Sequence, residues 1–284
     1  MSRFSFLGFI VFLPGVASLN AQVPDTLQVA PTLSTAPAQS FAADPAIWVH
    51  PGDPSKSLIL GTDKGTFPSG GVFVWNLDGT QQQRIIISHP NHIDVEYGMN
   101  VGGELVDIAV VTMRDHDELR VFKIDPQRRE LDEITTAATI RTTASPFGLG
   151  VYKRPSDGEI FAIVSSRDPE RINKVQQFRL HDDGLGKVAA TEVGQITNTL
   201  GLVDGIVVDD QLGYLYLAED SVGISKYFAD PAKGEERLAF LATDDGINDN
   251  REGLAIYGCS DSTGYLLLAS PEDRAIYVFP REGD

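Results

Sequence analysis

Residues 44–78 read DPAIWVHPGDPSKSLILGTDKGTFPSGGVFVWNLD, and this stretch sets a pattern that the rest of the chain repeats. Its three apolar runs, AIWV, LILG and VFVW, are short and β-branched or aromatic. Clusters of Pro, Gly, Asp and Ser separate them, which is how strands end and turns begin. No long segment keeps a 3.6-residue period, so the reading is all-β. Each run type returns four more times. Runs like GVFVWNLD carry an aromatic near their end, at Trp75, Phe122, Phe178, Tyr227 and Phe279, spaced by 47, 56, 49 and 52 residues. Runs like SLILGTDK recur as DIAVVTMRD, IFAIVSSRD, YLYLAED and YLLLASPED, with Asp63, Arg114, Arg167 and Glu219 spaced by 51, 53 and 52 residues. Runs like DPAIWV recur as IDVEYG, FGLGVY, DGIVV and EGLAIY, and Asp44, Asp94, Phe147, Asp204 and Glu252 open them.

Self-similarity near 50 residues, with about four short strands in each unit, predicts a β-propeller. Five units fit between Asp44 and the C-terminus. A β-sandwich is the competing architecture, but it gives no reason for three separate markers to share one period.

The chain has 284 residues, with 40 Asp and Glu against 23 Lys and Arg and a formal charge of -17. That field repels phosphate backbones and anionic lipid, so function through nucleic-acid or membrane electrostatics is excluded. The 42% hydrophobic share supports a folded core. A lone cysteine, Cys259, permits neither an internal disulfide nor a Cys-rich zinc site. At the start, Arg3 precedes an apolar run from Phe4 to Val16 and the small residues Ala17, Ser18 and Ala21. This pattern predicts an export signal over residues 1–21, a flexible lead-in over 22–39 and the propeller over 40–284. The mature protein is expected to be secreted or periplasmic, soluble and monomeric.

The period also places charge. In an up-and-down blade, the start of the first strand and the loop leaving the second lie at one end of the propeller. Asp44, Asp94, Asp204 and Glu252 are therefore expected to ring its mouth, with Lys64, Arg114, Arg167, Asp168, Glu219 and Asp220 just outside. Converging carboxylates repel unless cations or hydrogen bonds hold them, and a set of oxygen donors favours Ca²⁺. Local turn capping and ion pairing is the alternative role for each acid. Lys64, Arg114 and Arg167 occupy one place in three successive units, and a guanidinium fork suits phosphate oxygens.

Other chemistries leave little trace, since the chain has no GxSxG, P-loop or HExxH motif. His89 and His92 in SHPNHID are close enough to be co-ligands, although a turn is the simpler role. His50 reads as a turn residue, and His116 and His181 sit in polar loops. The acidic run DDGINDNRE at 244–252 lacks the order of an EF-hand loop.

DPAIWVHPGDPSKSLILGTDKG followed by GGVFVWNLDG, then PNHIDVEYGM, LVDIAVVTMRD, VDDQLGYLYLAED and EGLAIY, resemble the β-propeller phytases. These are secreted calcium-dependent enzymes that release phosphate from myo-inositol hexakisphosphate, and the resemblance spans roughly residues 40–284. It implies calcium ligation by Asp44, Asn91, Asp94, Asp204, Glu219, Asp220, Asn250 and Glu252. It implies phosphate binding by Lys64, Arg114 and Arg167, with Asp168 completing an Arg-Asp pair where the family has Lys-Glu, and Phe147 in the substrate site. Five departures stand out: Ala43 for an Asp, His92 for an Asn, Phe147 for a Tyr, Asp204 as a shortened acid, and Asn250 as a neutralised one.

The resemblance further implies six blades, of which this chain supplies about five, so a C-terminally incomplete or impaired member is expected. The implied reaction is hydrolysis of a phosphomonoester by metal-activated water, with phytate presented as a calcium complex. A non-catalytic calcium-stabilised propeller and a lactonase-like calcium-dependent hydrolase are the other two readings.

Overall fold

The structure, a computed structural model, describes residues 26–243, 246–247 and 250–282. The export signal expected over 1–21 lies outside them, as do Asp244, Asp245, Asn248 and Asp249 of the acidic run. The chain divides into two units between Thr32 and Leu33. Of the first, residues 26–32 are exposed and have no regular structure.

The second unit is a β-propeller of five blades, as the repeats predicted. Blade 1 contains β1 (Ala42–Trp48), β2 (Leu58–Asp63), β3 (Gly71–Asn76) and β4 (Gln81–Ile85). Blade 2 contains β5 (Pro90–Val101), β6 (Glu104–Met113), β7 (Glu118–Asp125) and β8 (Glu130–Glu133), with the short β9 (Ile140–Arg141) also paired to β7. Blade 3 contains β10 (Pro146–Lys153), β11 (Ile160–Ser166), β12 (Val175–Asp182) and β13 (Val188–Ile196). Blade 4 contains β14 (Val203–Asp209), β15 (Tyr214–Glu219), β16 (Gly223–Phe228) and β17 (Ala239–Leu241). Blade 5 contains β18 (Leu254–Gly258), β19 (Gly264–Ser270) and β20 (Ala275–Pro280). Consecutive strands pair antiparallel, so each blade is a meander. The lead-in reaches the propeller earlier than expected, because the Ala36 N–H donates to Gly79 O at 2.7 Å and the Ser40 N–H to Asp63 at 2.7 Å.

The apolar runs have a simple cause. A blade between two others is covered on both faces, so its inner strands cannot alternate and must be apolar throughout. All of β11 is buried, and Ile108–Met113 of β6 are buried as well. The core is four layers between blades. Leu60 and Val74 of blade 1 meet Ile93 and Val111 of blade 2. Val110 meets Leu149 and Ala162 in the next layer, Ile163 meets Ile206 and Leu217 in the third, and Tyr216 meets Leu266 and Leu268 in the fourth. Blade 5 differs on its outer face, where Tyr257, Ile276 and Val278 are exposed. A buried fork fixes its far end: the Arg281 guanidinium donates to both Asp209 oxygens, at 2.6 and 2.7 Å.

One irregularity repeats in each blade. Ala43 and Asp44 of β1 lie opposite the single residue Thr62 of β2. Asn91 and His92 lie likewise opposite Thr112, Phe147 and Gly148 opposite Ser165, and Asp204 and Gly205 opposite Ala218. In blade 5, Glu252 and Gly253 exchange backbone hydrogen bonds with Ala269. Each is a β-bulge, which adds a residue and re-aims the side chains beside it. This register corrects the sequence alignment. Asp44 matches His92, Gly148, Gly205 and Gly253, whereas Asp204 matches Ala43, Asn91, Phe147 and Glu252. Asp94 lies two residues further along β5, and Asp63 matches Glu219 rather than the basic positions.

Hydroxyls tie the first bulges together. Thr62 Oγ1 accepts from the Asp44 N–H at 3.2 Å and donates to Asn91 O on blade 2. Thr112 Oγ1 accepts from His92 N at 2.9 Å and donates to Phe147 O at 3.1 Å. Ser165 Oγ accepts from Gly148 N at 2.8 Å and donates to Val203 O at 2.7 Å. Blades 4 and 5 have Ala218 and Ala269 at this place; close backbone approach at a bulge glycine joins blade 4 to blade 5 without a hydroxyl and accompanies the Ser165 tie between blades 3 and 4. A Cβ on Gly205 would lie 2.0 Å from Glu252 O, and one on Gly148 would lie 2.2 Å from Asp204 O. Only glycine fits either contact.

Candidate active site at the mouth of the propeller

The bulges and the loops leaving the second strands share one end of the propeller, and two kinds of group gather there. The first is basic. Lys64, Arg114 and Arg167 follow β2, β6 and β11 in register. Ser145 supports two of them: its carbonyl accepts from Arg167 N at 2.9 Å and its hydroxyl from Arg114 Nε at 3.4 Å. The Phe147 ring lies beneath both guanidiniums, 5.0 Å from Arg167 and 5.9 Å from Arg114. Phe147 itself is only 4% exposed. It therefore acts as a platform, which corrects its expected place facing substrate. Among the described residues, none of these three cations has a carboxylate within 4.0 Å.

Asp168 caps its own turn. Its carboxylate accepts from Glu170 N at 3.0 Å and its carbonyl from Arg171 N at 2.8 Å. The geometry thus separates Arg167, which is exposed, from Asp168, which shapes the loop that carries it.

The second kind is acidic. Asp44 Oδ2 accepts from Ile93 N at 3.0 Å. Burial pushes the Asp44 carboxyl up, the His92 ring and that N–H oppose it, and Asp204 pushes it further. Glu252 is raised by partial burial, then by Asp204 and Asp220, with Lys64 and His92 pulling the other way. Charges on blades 1, 2, 4 and 5 therefore sense one another across the mouth. Asn250 donates to Glu272 at 3.4 Å, on the blade 5 side.

His92 lies between the acids. Its Nε2 is 3.1 Å from Asp204 and its Nδ1 is 3.9 Å from Asp44. Burial disfavours its charged form, yet Asp44 and Asp204 hold its pKa above the ordinary value. The sequence offered it as a turn residue. Aligning the repeats on the hydroxyl of the second strand, two residues before each cation, is the signal that places it opposite Asp44.

Two expected ligands lie elsewhere. Glu219 is fully buried, and its carboxylate accepts from the N–H groups of Leu200 and Gly201 and from the Ser225 hydroxyl. Asp63 does the same in blade 1, accepting from Ser40, Phe41 and Gly65 N–H groups. These two acids staple the incoming chain to their blades. Asp94 braces blade 2 to blade 3, accepting from Val151 N at 2.7 Å and Val95 N at 2.8 Å. Burial pushes its carboxyl up to about 7. Beyond it along β5, Glu96 meets Asp210, which follows β14, and burial raises both carboxyls.

Among the described residues, no group of three or more His, Cys, Asp or Glu side chains is gathered closely enough to hold a metal ion. The mouth nevertheless offers calcium-type chemistry. Asp44, Asp204, Asp220 and Glu252 are oxygen donors around one opening, and the raised acids register their mutual repulsion. Asn91 is 1% exposed, and its Nδ2 has no acceptor. Turned over, that amide presents its oxygen to a cation.

The fold and this arrangement define a β-propeller whose mouth gathers both basic and acidic side chains. The phytase family matches residues 10–284, and the chain belongs to that family. It is 31% identical over 247 residues to the 3-phytase of Bacillus subtilis (strain 168), an alignment that covers 85% of this chain and 62% of that relative.

Proposed function

We propose that the protein is a calcium-dependent phosphomonoesterase acting on phytate at the propeller mouth. The observation that carries this reading is the set Lys64, Arg114 and Arg167. In a chain with so large an excess of acid, three cations at one repeat position have no carboxylate within 4.0 Å among the described residues. Membership of the phytase family and the name of the Bacillus relative point the same way.

Arg167 and Arg114 would each offer a planar fork to phosphate oxygens, held over the Phe147 ring. Lys64 adds a compact charge beside them. Asp44, Asn91, Asp204, Asp220 and Glu252 would hold calcium, with Asn250 at the blade 5 edge. When bound, calcium supplies Lewis-acid polarisation of a phosphoryl oxygen and activates water for attack. The cations and the oxygen donors of one mouth would then take the two parts of a calcium phytate complex. Residues 1–21 would direct export, placing the enzyme outside the cytoplasm, where it would act as a monomer.

The test is phosphate release from calcium phytate by the purified protein, with calcium and again with excess chelator. Release that requires calcium is the expected result. Phosphate release indifferent to chelator would overturn the calcium part. Calcium binding without release would favour the non-catalytic propeller.

A further inference from the structure

We infer that His92 is a resident competitor for calcium, engaging two of the carboxylates that would otherwise be open to the ion. The inference rests on the calcium reading of the mouth and deepens it. Of the five residues in the second bulge position, three are glycines, and only Asp44 and His92 bring a side chain. His92 reaches from blade 2 to Asp204 on blade 4, with Nε2 at 3.1 Å, and its other nitrogen lies 3.9 Å from Asp44 on blade 1. The Phe147 ring, 5.5 Å away and tilted by 38°, backs it from the side.

This placement has two effects. The Nε2–H engages Asp204 Oδ1, so one ligand oxygen is already satisfied before any metal arrives. The other ring nitrogen faces Asp44, so calcium held by either acid would have to compete with the ring for that acid's oxygens. Calcium prefers oxygen to imidazole nitrogen and gains nothing from keeping the ring as a ligand. His92 therefore stabilises the metal-free mouth and weakens its hold on calcium.

The experiment is His92→Asn in the full chain, read by calcium titration calorimetry and by thermal unfolding with calcium and with chelator, all without substrate. The asparagine should bind calcium about tenfold more tightly, the value of one charge-assisted hydrogen bond no longer lost on binding. Its Tm in chelator should fall below that of the parent, and its calcium-induced rise in Tm should exceed the parent's. Unchanged or weaker calcium binding overturns the inference while leaving the calcium reading intact. Absence of calcium binding in both proteins overturns both. His92→Gln serves the same measurements if the asparagine variant does not fold, and it carries the same expected outcomes.

Discussion

The two sides of the mouth solve one packing problem differently. In blades 1 to 3 the second strand ends on a hydroxyl, Thr62, Thr112 or Ser165, that ties its blade to the next. Two residues later stands Lys64, Arg114 or Arg167. In blades 4 and 5 the hydroxyls are Ala218 and Ala269, and Asp220 and Pro271 stand where the cations were. There the bulge acids Asp204 and Glu252 carry the charge. The lesson is that one backbone device, repeated without change, presents the three cations on blades 1 to 3 and, apart from Asp44, the mouth carboxylates on blades 4 and 5.

Substitutions on either side should separate the two roles. Arg167 is exposed, with its backbone N–H bonded to Ser145 O and its guanidinium over the Phe147 ring, so Arg167→Ala should leave folding stability within about 0.5 kcal/mol. Its kcat/KM on phytate should fall by roughly 10²–10³-fold, as for loss of a donor to transition-state charge. Calcium affinity should be unchanged. Asp204→Asn should show the reverse signature, with weakened calcium binding in calorimetry as the primary loss. Equal calcium effects from both would erase the division between the halves.

The hydroxyl tie is a smaller term. Thr112→Val removes the donor to Phe147 O and the acceptor for His92 N in a fully buried place. The expected cost is about 1–3 kcal/mol, measured as a lower urea midpoint at constant m-value. A cost below the effect of ordinary surface substitutions would mean that packing alone holds blade 2 to blade 3.

Acidity provides the mildest test, away from the mouth. Asp94, Glu96 and Asp210 all have raised folded-state pKa values, Asp94 at about 7. A carboxyl raised on folding binds more protons in the native state than in the unfolded one, so it favours the fold at low pH. That contribution is complete below the ordinary carboxylate range and is lost as pH rises through the folded value. In chelator, Tm should decline between pH 5 and pH 8. A rising Tm over that interval would remove these groups as the dominant titrating set.

Much of the fold could be read in the sequence because propeller packing writes itself locally. A blade covered on both faces needs continuous apolar strands, and each return needs a turn, so the 50-residue period survives in the letters. The cations were legible for the same reason, since Lys64, Arg114 and Arg167 sit at a fixed distance from their strands. Glu219 was not, because the sequence cannot show that backbone N–H groups from Leu200 and Gly201 would claim its carboxylate. Asp94 misled in another way. It opens an apolar run in the sequence, but an unforeseen bulge shifts the true start of the blade to Asn91 and His92.

The sequence by itself determined the all-β class, the repeat, the blade count and the side-chain chemistry of the mouth, all of which depend on residues close along the chain. Only the tertiary structure decided which acids face one another, that Phe147 lies beneath two guanidiniums, and that His92 spans Asp44 and Asp204. Those relations join blades far apart in sequence, and a single bulge residue changes which side chains meet.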